Sequence, residues 1–151
     1  MKFVFCERSA MSKQVFDCPV HQVVRVIDGD TQKLLLDLGF SSYVSVTTRI
    51  RGIDCPEKST FAGRLVLGVV GGWLYQSSSV GRFNLRWVSS EVDMYGRTLG
   101  DFYNVVNPED RLSSYLLHHG LAKVYAKKRE PWSVAELGVV ESRCNELVKR
   151  G

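Results

Sequence analysis

The chain has 151 residues, of which 44% are hydrophobic and 24% are charged. This composition is that of an ordinary globular domain, and it excludes a disordered, collagen-like or coiled-coil chain. Twenty lysines and arginines against sixteen aspartates and glutamates give a net charge of +4, which is compatible with an anionic partner without requiring one. The length suits one domain. We expect residues 1–17, which show no sustained period, to form an N-terminal tail, and residues 18–151 to form the domain.

The four cysteines lack zinc-finger spacing; they are Cys6, Cys18, Cys55 and Cys144. We expect free thiols in a reducing compartment, because a chain of this size and apolar content does not need disulfides. No apolar stretch reaches the length of a membrane span, and the first residues lack the apolar core of a signal peptide. These features predict a cytoplasmic protein without a membrane partner, with a monomer as the default state.

The first third of the chain has the pattern of three strands. Residues 21–27 are rich in β-branched side chains and end at the turn-forming pair Asp28-Gly29, and a second apolar run follows at residues 33–38. In the third strand, residues 43–51, apolar and polar side chains alternate. The alternation predicts one buried face and places both arginines of this strand on the outward face.

The remainder of the chain predicts a helix, two strands and two further helices. The first helix covers residues 61–76, and the strands cover residues 82–88 and 98–105. A second helix is predicted to begin after Asn107 as its N-cap, and a third to cover residues 132–149. Five strands with helices at intervals predict an α+β fold with a mainly β core, in the form of a small closed barrel with helices packed on it.

Three polar clusters fall at predicted turns or strand ends, where a rigid scaffold presents functional groups. They are residues 28–31, residues 49–57 and residues 95–97. Taken singly, each fits an ordinary turn or a solvated surface. Taken together they suggest a site, because Asp30 and Asp54 end different strands and a barrel brings such ends together.

The side chains of these clusters have complementary chemistry. Two carboxylates with a main-chain carbonyl suit a hard, oxygen-preferring cation such as Ca²⁺ or Mg²⁺. Glu57, one short loop beyond Asp54, is placed to act as a general base on a metal-bound or nearby water. Arg49 and Arg97 offer planar, bidentate donors for phosphate oxygens. Such a set is sufficient for hydrolysis of a phosphodiester bond.

Four segments resemble the staphylococcal nuclease (thermonuclease) family and occur in the order of that family. They are VIDGDT at 26–31, RIRGIDCPE at 49–57, DMYGR at 93–97 and GLAKV at 120–124. The resemblance covers about residues 20–149 and identifies an SNase-like domain. It implies a five-stranded OB-type barrel with three helices.

The resemblance also implies a calcium site. Its ligands would be Asp30, Asp54 and the main-chain carbonyl of Cys55, with Asp28 as a carboxylate behind them. Calcium would be the cofactor, and Mg²⁺ is the alternative that the oxygen ligands allow.

The catalytic roles that the resemblance implies fall on four other side chains. Glu57 would activate water, Arg49 and Arg97 would bind the phosphate and stabilise its developing charge, and Tyr95 would lie beside the sugar–phosphate of the substrate. The expected substrates are DNA and RNA, single-stranded or frayed, with 3′-phosphorylated products. Little base selectivity is expected, because phosphate contacts position a strand without reading its sequence.

Three departures from the family pattern bear on substrate binding. Position 55 is Cys where the prototype of the family has Thr, a change that a carbonyl ligand survives. Met94 replaces a basic residue, and the loop after Glu57, residues 58–60, is short where the prototype has a longer basic loop. The basic run at residues 127–129 replaces these missing phosphate contacts if it follows the phosphate backbone, although such a run is more often a solvated face. Tyr125 is explained equally well as a stacking surface and as packing at the barrel rim.

Two other functions remain open at this point. One is a non-catalytic OB-type module that binds nucleic acid or a protein, and the other is a hydrolase of small phosphate esters. A binding module has no need for the whole set of Asp30, Arg49, Asp54, Glu57 and Arg97. Their joint presence favours the enzyme.

Overall fold

The computed structural model describes residues 14–79, 84–125 and 127–151. Residues 1–13 of the predicted tail, Cys6 among them, and residues 82 and 83 of the fourth predicted strand lie outside these ranges. Within them the elements, in chain order, are β1 (Phe16–Asp28), β2 (Thr31–Gly39), β3 (Ser42–Ile50), β4 (Ile53–Asp54), α1 (Phe61–Ser79), β5 (Leu85–Val92), β6 (Thr98–Asn104), α2 (Leu112–His118), β7 (Lys123–Val124) and α3 (Val134–Arg150).

Five of the strands close into a barrel in the order β1-β2-β3-β6-β5. All neighbours are antiparallel except β3 and β6, which run parallel with Thr48 opposite Thr98 and Arg49 opposite Leu99. Three helices accompany the barrel. The predicted α+β, OB-type architecture is therefore confirmed.

The apolar core fills the barrel and continues under the helices. Inside the barrel the rings of Trp87 and Phe102 pack with centroids 4.7 Å apart. On the helices, Val66 of α1 and Val140 of α3 are fully buried against the same core. Each buried apolar side chain of this size contributes about 1.5–3 kcal/mol to folding. This core holds in place the strand ends that carry the polar clusters.

Several element boundaries differ from the prediction. β1 begins at Phe16, two residues inside the predicted tail, because Phe16 pairs with Ser89 of β5. β5 continues to Val92, beyond the predicted end at residue 88. The two-residue strands β4 and β7 pair with each other in a separate sheet and were not predicted, since two residues are too short to show a period.

The predicted start of the second helix is wrong. α2 begins at Leu112 after Arg111, which makes no side-chain cap, and Asn107 instead accepts the amide of Asp110 in a turn. The carboxylate of Asp101, on β6, accepts the backbone amide of Ser113 at 3.2 Å and also bonds its hydroxyl. An acid from a neighbouring strand thus satisfies an amide of the first turn, which is the usual task of an N-cap.

The predicted faces of β3 are correct only in part. Thr48 and Ile50 are buried as predicted, and Arg51 is exposed. Arg49 is not outward, because its side chain is only 15% exposed and lies against carboxylates of other segments. The alternation of side chains distinguishes the two faces of the barrel wall. At this end of the barrel, however, loops cover the outer face, and Arg49 lies beneath them.

None of the helices in the described ranges combines the length and the apolar content that crossing a bilayer requires.

Helix α1 begins against the loop that carries Glu57. Thr60 is its N-cap and accepts the amide of Gly63 at 3.0 Å. A Cβ atom at Gly63 would lie 1.8 Å from the carbonyl oxygen of Glu57, whereas one at Gly68, on the same helix, would meet nothing within 4 Å. The first turn of α1 therefore fixes the loop of Glu57 through a contact that only glycine allows.

Replacing Gly63 with Ala should lower the free energy of unfolding by about 1–3 kcal/mol, because the methyl group displaces the backbone at Glu57. The matched change Gly68→Ala should raise it by about 0.5–1 kcal/mol, since it removes a helix glycine without a clash. Urea unfolding followed by circular dichroism measures both. Equal effects of the two variants would contradict the contact.

Candidate functional site

The first two polar clusters, residues 28–31 and 49–57, meet at one end of the barrel because of how β2 and β3 pair. Thr31, at the start of β2, lies opposite Arg49, near the end of β3. The amide of Ile50 also donates to the carbonyl of Asp30 at 2.8 Å. Cross-strand partners have Cβ atoms about 5 Å apart. The turn before β2 is thereby held beside the Arg49 side chain.

Arg49 joins the two carboxylates that were predicted to meet. Its Nη1 lies 2.5 Å from Asp30 Oδ2, and its Nη2 lies 3.6 Å from Asp54 Oδ1. Nη2 also donates to the carbonyl of Ile53 at 3.2 Å, and the guanidinium lies 5.9 Å from the ring centre of Tyr125. Both carboxylates are buried. The structure thus brings Asp30 and Asp54, from separate segments, to the two ends of one guanidinium.

Further donors bind the two carboxylates. The backbone amide of Cys55 donates to Asp30 Oδ2 at 2.8 Å, and the hydroxyl of Thr31 donates to Asp30 Oδ1 at 3.0 Å. The indole of Trp132 donates to Asp54 Oδ2 at 3.2 Å. Asp54 Oδ1 is buried and has no hydrogen-bond donor among the described residues. One oxygen of this cluster therefore remains without a hydrogen bond.

The side chain of Cys55 is buried. Burial, with a smaller effect of the Asp30 carboxylate, raises the pKa of the Cys55 thiol well above its ordinary value. Cys18, Cys55 and Cys144 are free thiols in the described residues. Any part of residue 55 in a cation site would belong to its main-chain carbonyl.

Glu57 lies in the loop after β4 and is paired with Arg129. The distance from Arg129 Nη1 to Glu57 Oε1 is 2.8 Å, and Arg129 Nε lies 3.4 Å from Asp54 Oδ1. The sequence showed Arg129 only as part of a basic run. No period or motif indicates which of three neighbouring basic side chains reaches a carboxylate more than 70 positions earlier. Arg129 and Trp132 are the site residues that sequence reasoning missed.

Asp28 contacts the loop that carries Glu57. Its Oδ1 accepts the backbone amide of Lys58 at 2.9 Å. This bond ties the turn between β1 and β2 to the residue that follows Glu57. Asp28 therefore helps to hold the loop of Glu57 in position.

The turn between β5 and β6 carries Tyr95 and Arg97. Asp93 organises it, since its Oδ1 accepts the amides of both residues at 2.9 Å and its Oδ2 lies 2.7 Å from Arg97 Nε. The guanidinium of Arg97 lies 5.4 Å from the ring centre of Tyr95. Burial raises the pKa of Asp93, but the hydrogen bonds from Arg97 and Tyr95 outweigh it and leave that pKa below its ordinary value.

Two adjoining cavities relate these groups to one another. The larger has a volume of about 530 Å³. Among the residues that line it are the predicted site residues Asp30, Arg49, Asp54, Tyr95 and Arg97. Glu57 lines the second cavity, about 320 Å³, with Trp132. Arg129 lines both. The guanidinium of Arg129 therefore stands where the cavity of Glu57 meets the cavity of the carboxylates.

The donor set fits an oxygen-preferring cation with few protein ligands. In the part of the chain that the structure describes, no group of three or more His, Cys, Asp or Glu could hold a metal ion. Two carboxylates nevertheless meet here, and Asp54 Oδ1 lacks a hydrogen-bond donor. Ca²⁺ and Mg²⁺ take oxygen ligands and complete their coordination with water. Asp30 and Asp54 thus suit such an ion, with water at most of its positions.

Comparison with known proteins yields one partial similarity. No family model matches the chain. Protein ParB of Escherichia coli is 30% identical over 110 residues, which cover 69% of this chain and 56% of ParB. The chain spans little more than half the length of that relative, so the similarity concerns a part of ParB.

The hydrogen bond from Trp132 to Asp54 can be tested by replacing Trp132 with Phe. A hydrogen bond to a charged group is worth about 1.5–3 kcal/mol, and we expect the free energy of unfolding in urea to fall by about that amount. In an Asp54→Asn background the same change should cost markedly less, because the charge is gone. Equal losses in both backgrounds would attribute the effect to ring packing instead.

Proposed function

We propose that this protein is a metal-dependent nuclease that hydrolyses phosphodiester bonds in DNA and RNA, with Ca²⁺ as its cofactor and Mg²⁺ as the alternative. The observation that carries the proposal is the convergence of Asp30, Arg49 and Asp54 on a cavity that Arg97 also lines. The resemblance of four segments to the staphylococcal nuclease family supports it, because these positions match the catalytic residues of that family.

Asp30 and Asp54 would hold the cation, together with the main-chain carbonyl of Cys55. A divalent cation held there would supply Lewis-acid polarisation of a phosphoryl oxygen and would lower the pKa of a water bound to it. The buried setting of the carboxylates supports this role, since it limits competition from bulk water.

Arg49 and Arg97 would bind the non-bridging oxygens of the phosphate. Asp93 holds Arg97 through Nε, which leaves its two Nη groups as donors. Arg49 is held by Asp30 and by the carbonyl of Ile53. Guanidinium groups fixed in this way stabilise the charge that develops on the phosphate without having to reorganise.

Glu57 would accept a proton from the attacking water. The water oxygen forms a bond to phosphorus as the bond to the 5′ oxygen breaks, which leaves a 3′-phosphorylated end and a 5′-hydroxyl after protonation of the leaving oxygen. Tyr95, which is largely exposed at the cavity, would lie beside the sugar–phosphate.

A second candidate function is a non-catalytic OB-type module that binds nucleic acid or a protein. Its support is that both Arg97 and Glu57 are engaged in ion pairs, with Asp93 and with Arg129. A binding module would retain strands without cutting them.

Incubation of the purified chain with labelled single-stranded DNA and RNA separates these functions. We expect cleavage with Ca²⁺, no cleavage in excess chelator, and no restoration by Zn²⁺, because the site offers oxygen ligands. Analysis of the product ends should find 3′-phosphates. Retention of intact strands with Ca²⁺ present would favour the binding module, and cleavage in excess chelator would reject the metal assignment.

The role of Glu57 is tested by Glu57→Gln. Turnover at saturating Ca²⁺ should fall by about 10²- to 10⁴-fold, the usual contribution of a positioned base, while strand binding stays nearly intact. Glu130→Gln serves as a matched control, because Glu130 is an exposed glutamate of the segment that faces Glu57 across the smaller cavity. Unchanged turnover in Glu57→Gln would remove Glu57 from the mechanism.

A further inference from the structure

Arg129 is a positive charge placed between two carboxylates of the proposed catalytic set. Its Nη1 lies 2.8 Å from Glu57 Oε1 and its Nε lies 3.4 Å from Asp54 Oδ1. The Arg129 side chain is 51% exposed, whereas that of Asp54 is 5% exposed. A half-exposed arginine therefore lies against one of the carboxylates that would bind a divalent ion.

Asp54 Oδ1 is the atom over which a competition can arise. It is buried without a hydrogen-bond donor among the described residues, and it lies between Arg49 Nη2 at 3.6 Å and Arg129 Nε at 3.4 Å. A divalent ion bound at this oxygen would be repelled by both guanidiniums. Either one guanidinium moves away from Asp54 Oδ1 when the ion binds, or the affinity for the ion is lower.

Arg129 is the guanidinium that can move. Arg49 is 15% exposed, contacts Asp30 and the carbonyl of Ile53, and lies against Tyr125. The ion pairs of Arg129 are made with Asp54 and Glu57 alone among the described residues, from a segment with exposed neighbours. Moving a half-exposed arginine costs little, because water solvates it at once.

We propose that Arg129 is a positioning residue that acts as a built-in counter-ion: it holds Asp54 and Glu57 when no divalent cation is bound, and it competes with the cation for Asp54. This inference rests on the proposed function, since it takes the cation ligand and the base from it. The affinity for the cation is thus set partly by a residue that is not a ligand.

The test is a calcium titration of the full chain by calorimetry, with Trp132 fluorescence as a second readout. The indole of Trp132 donates to Asp54, while Trp73 and Trp87 are buried. Arg129→Gln should bind Ca²⁺ about threefold to tenfold more tightly than the wild type, because one repulsive charge is removed. Arg129→Lys, which restores the charge, should return the affinity towards that of the wild type.

Lys127→Gln is the matched control. It removes one positive charge from the same exposed segment, two residues away, and should change the affinity by less than about twofold because solvent and salt screen its charge. A residue with a merely structural role would weaken calcium binding when replaced. The increase in affinity is therefore specific to competition.

Each outcome has a distinct meaning. If the wild type cleaves DNA with Ca²⁺ but Arg129→Gln binds Ca²⁺ no more tightly than the wild type, the competition is refuted and the nuclease proposal stands. If neither protein binds Ca²⁺ and neither cleaves, the cation assignment fails and the competition fails with it. Binding by Arg129→Gln alone would support the competition strongly. Circular dichroism verifies that the variants are folded, and Arg129→Met, which also removes the charge, provides the test if Arg129→Gln is not.

Discussion

The ion pairs of Arg49 with Asp30 and Asp54 place three charges in a buried setting at the end of the barrel. Removing one partner of a buried pair is costly, because it leaves an uncompensated charge away from water. Two carboxylates in this position therefore require a positive charge for the fold itself. A divalent cation at the same two carboxylates would therefore meet a positive charge that already forms part of the structure.

The larger cavity is close to electrically neutral without a bound ion. Among the residues that line it are four arginines and four acids; the arginines are Arg49, Arg51, Arg97 and Arg129, and the acids are Asp30, Asp54, Glu91 and Asp93. A phosphate entering such a cavity brings negative charge that this balanced set does not offset. A divalent cation would offset it. The arrangement thus gives a physical reason for coupling between metal and substrate in the proposed reaction.

The barrel and the meeting of Asp30 with Asp54 could be predicted, because alternation, turns and strand ends are local features of the sequence. The position of the segment after β7 depends on contacts between residues far apart in the sequence, and for that reason Arg129 and Trp132 could not be assigned to the site. The same limit explains the error at Asn107. It has the composition of an N-cap, but Asp101 on β6 supplies the bond in the first turn of α2. The burial of Arg49 likewise depends on loops that cover the end of its strand.

The parallel pairing of β3 with β6 aligns Arg49 with Leu99, two positions after Arg97. One residue of a strand spans about 3.3 Å, so a slip of this pairing by a single step would shift the turn of Arg97 past the carboxylates by slightly more than the length of a hydrogen bond. The distance between the backbones that carry Arg49 and Arg97 is consequently set by the pairing of β3 with β6. Substitutions around the cavity change its chemistry, whereas the separation between the backbones at residues 49 and 97 depends on the strand alignment.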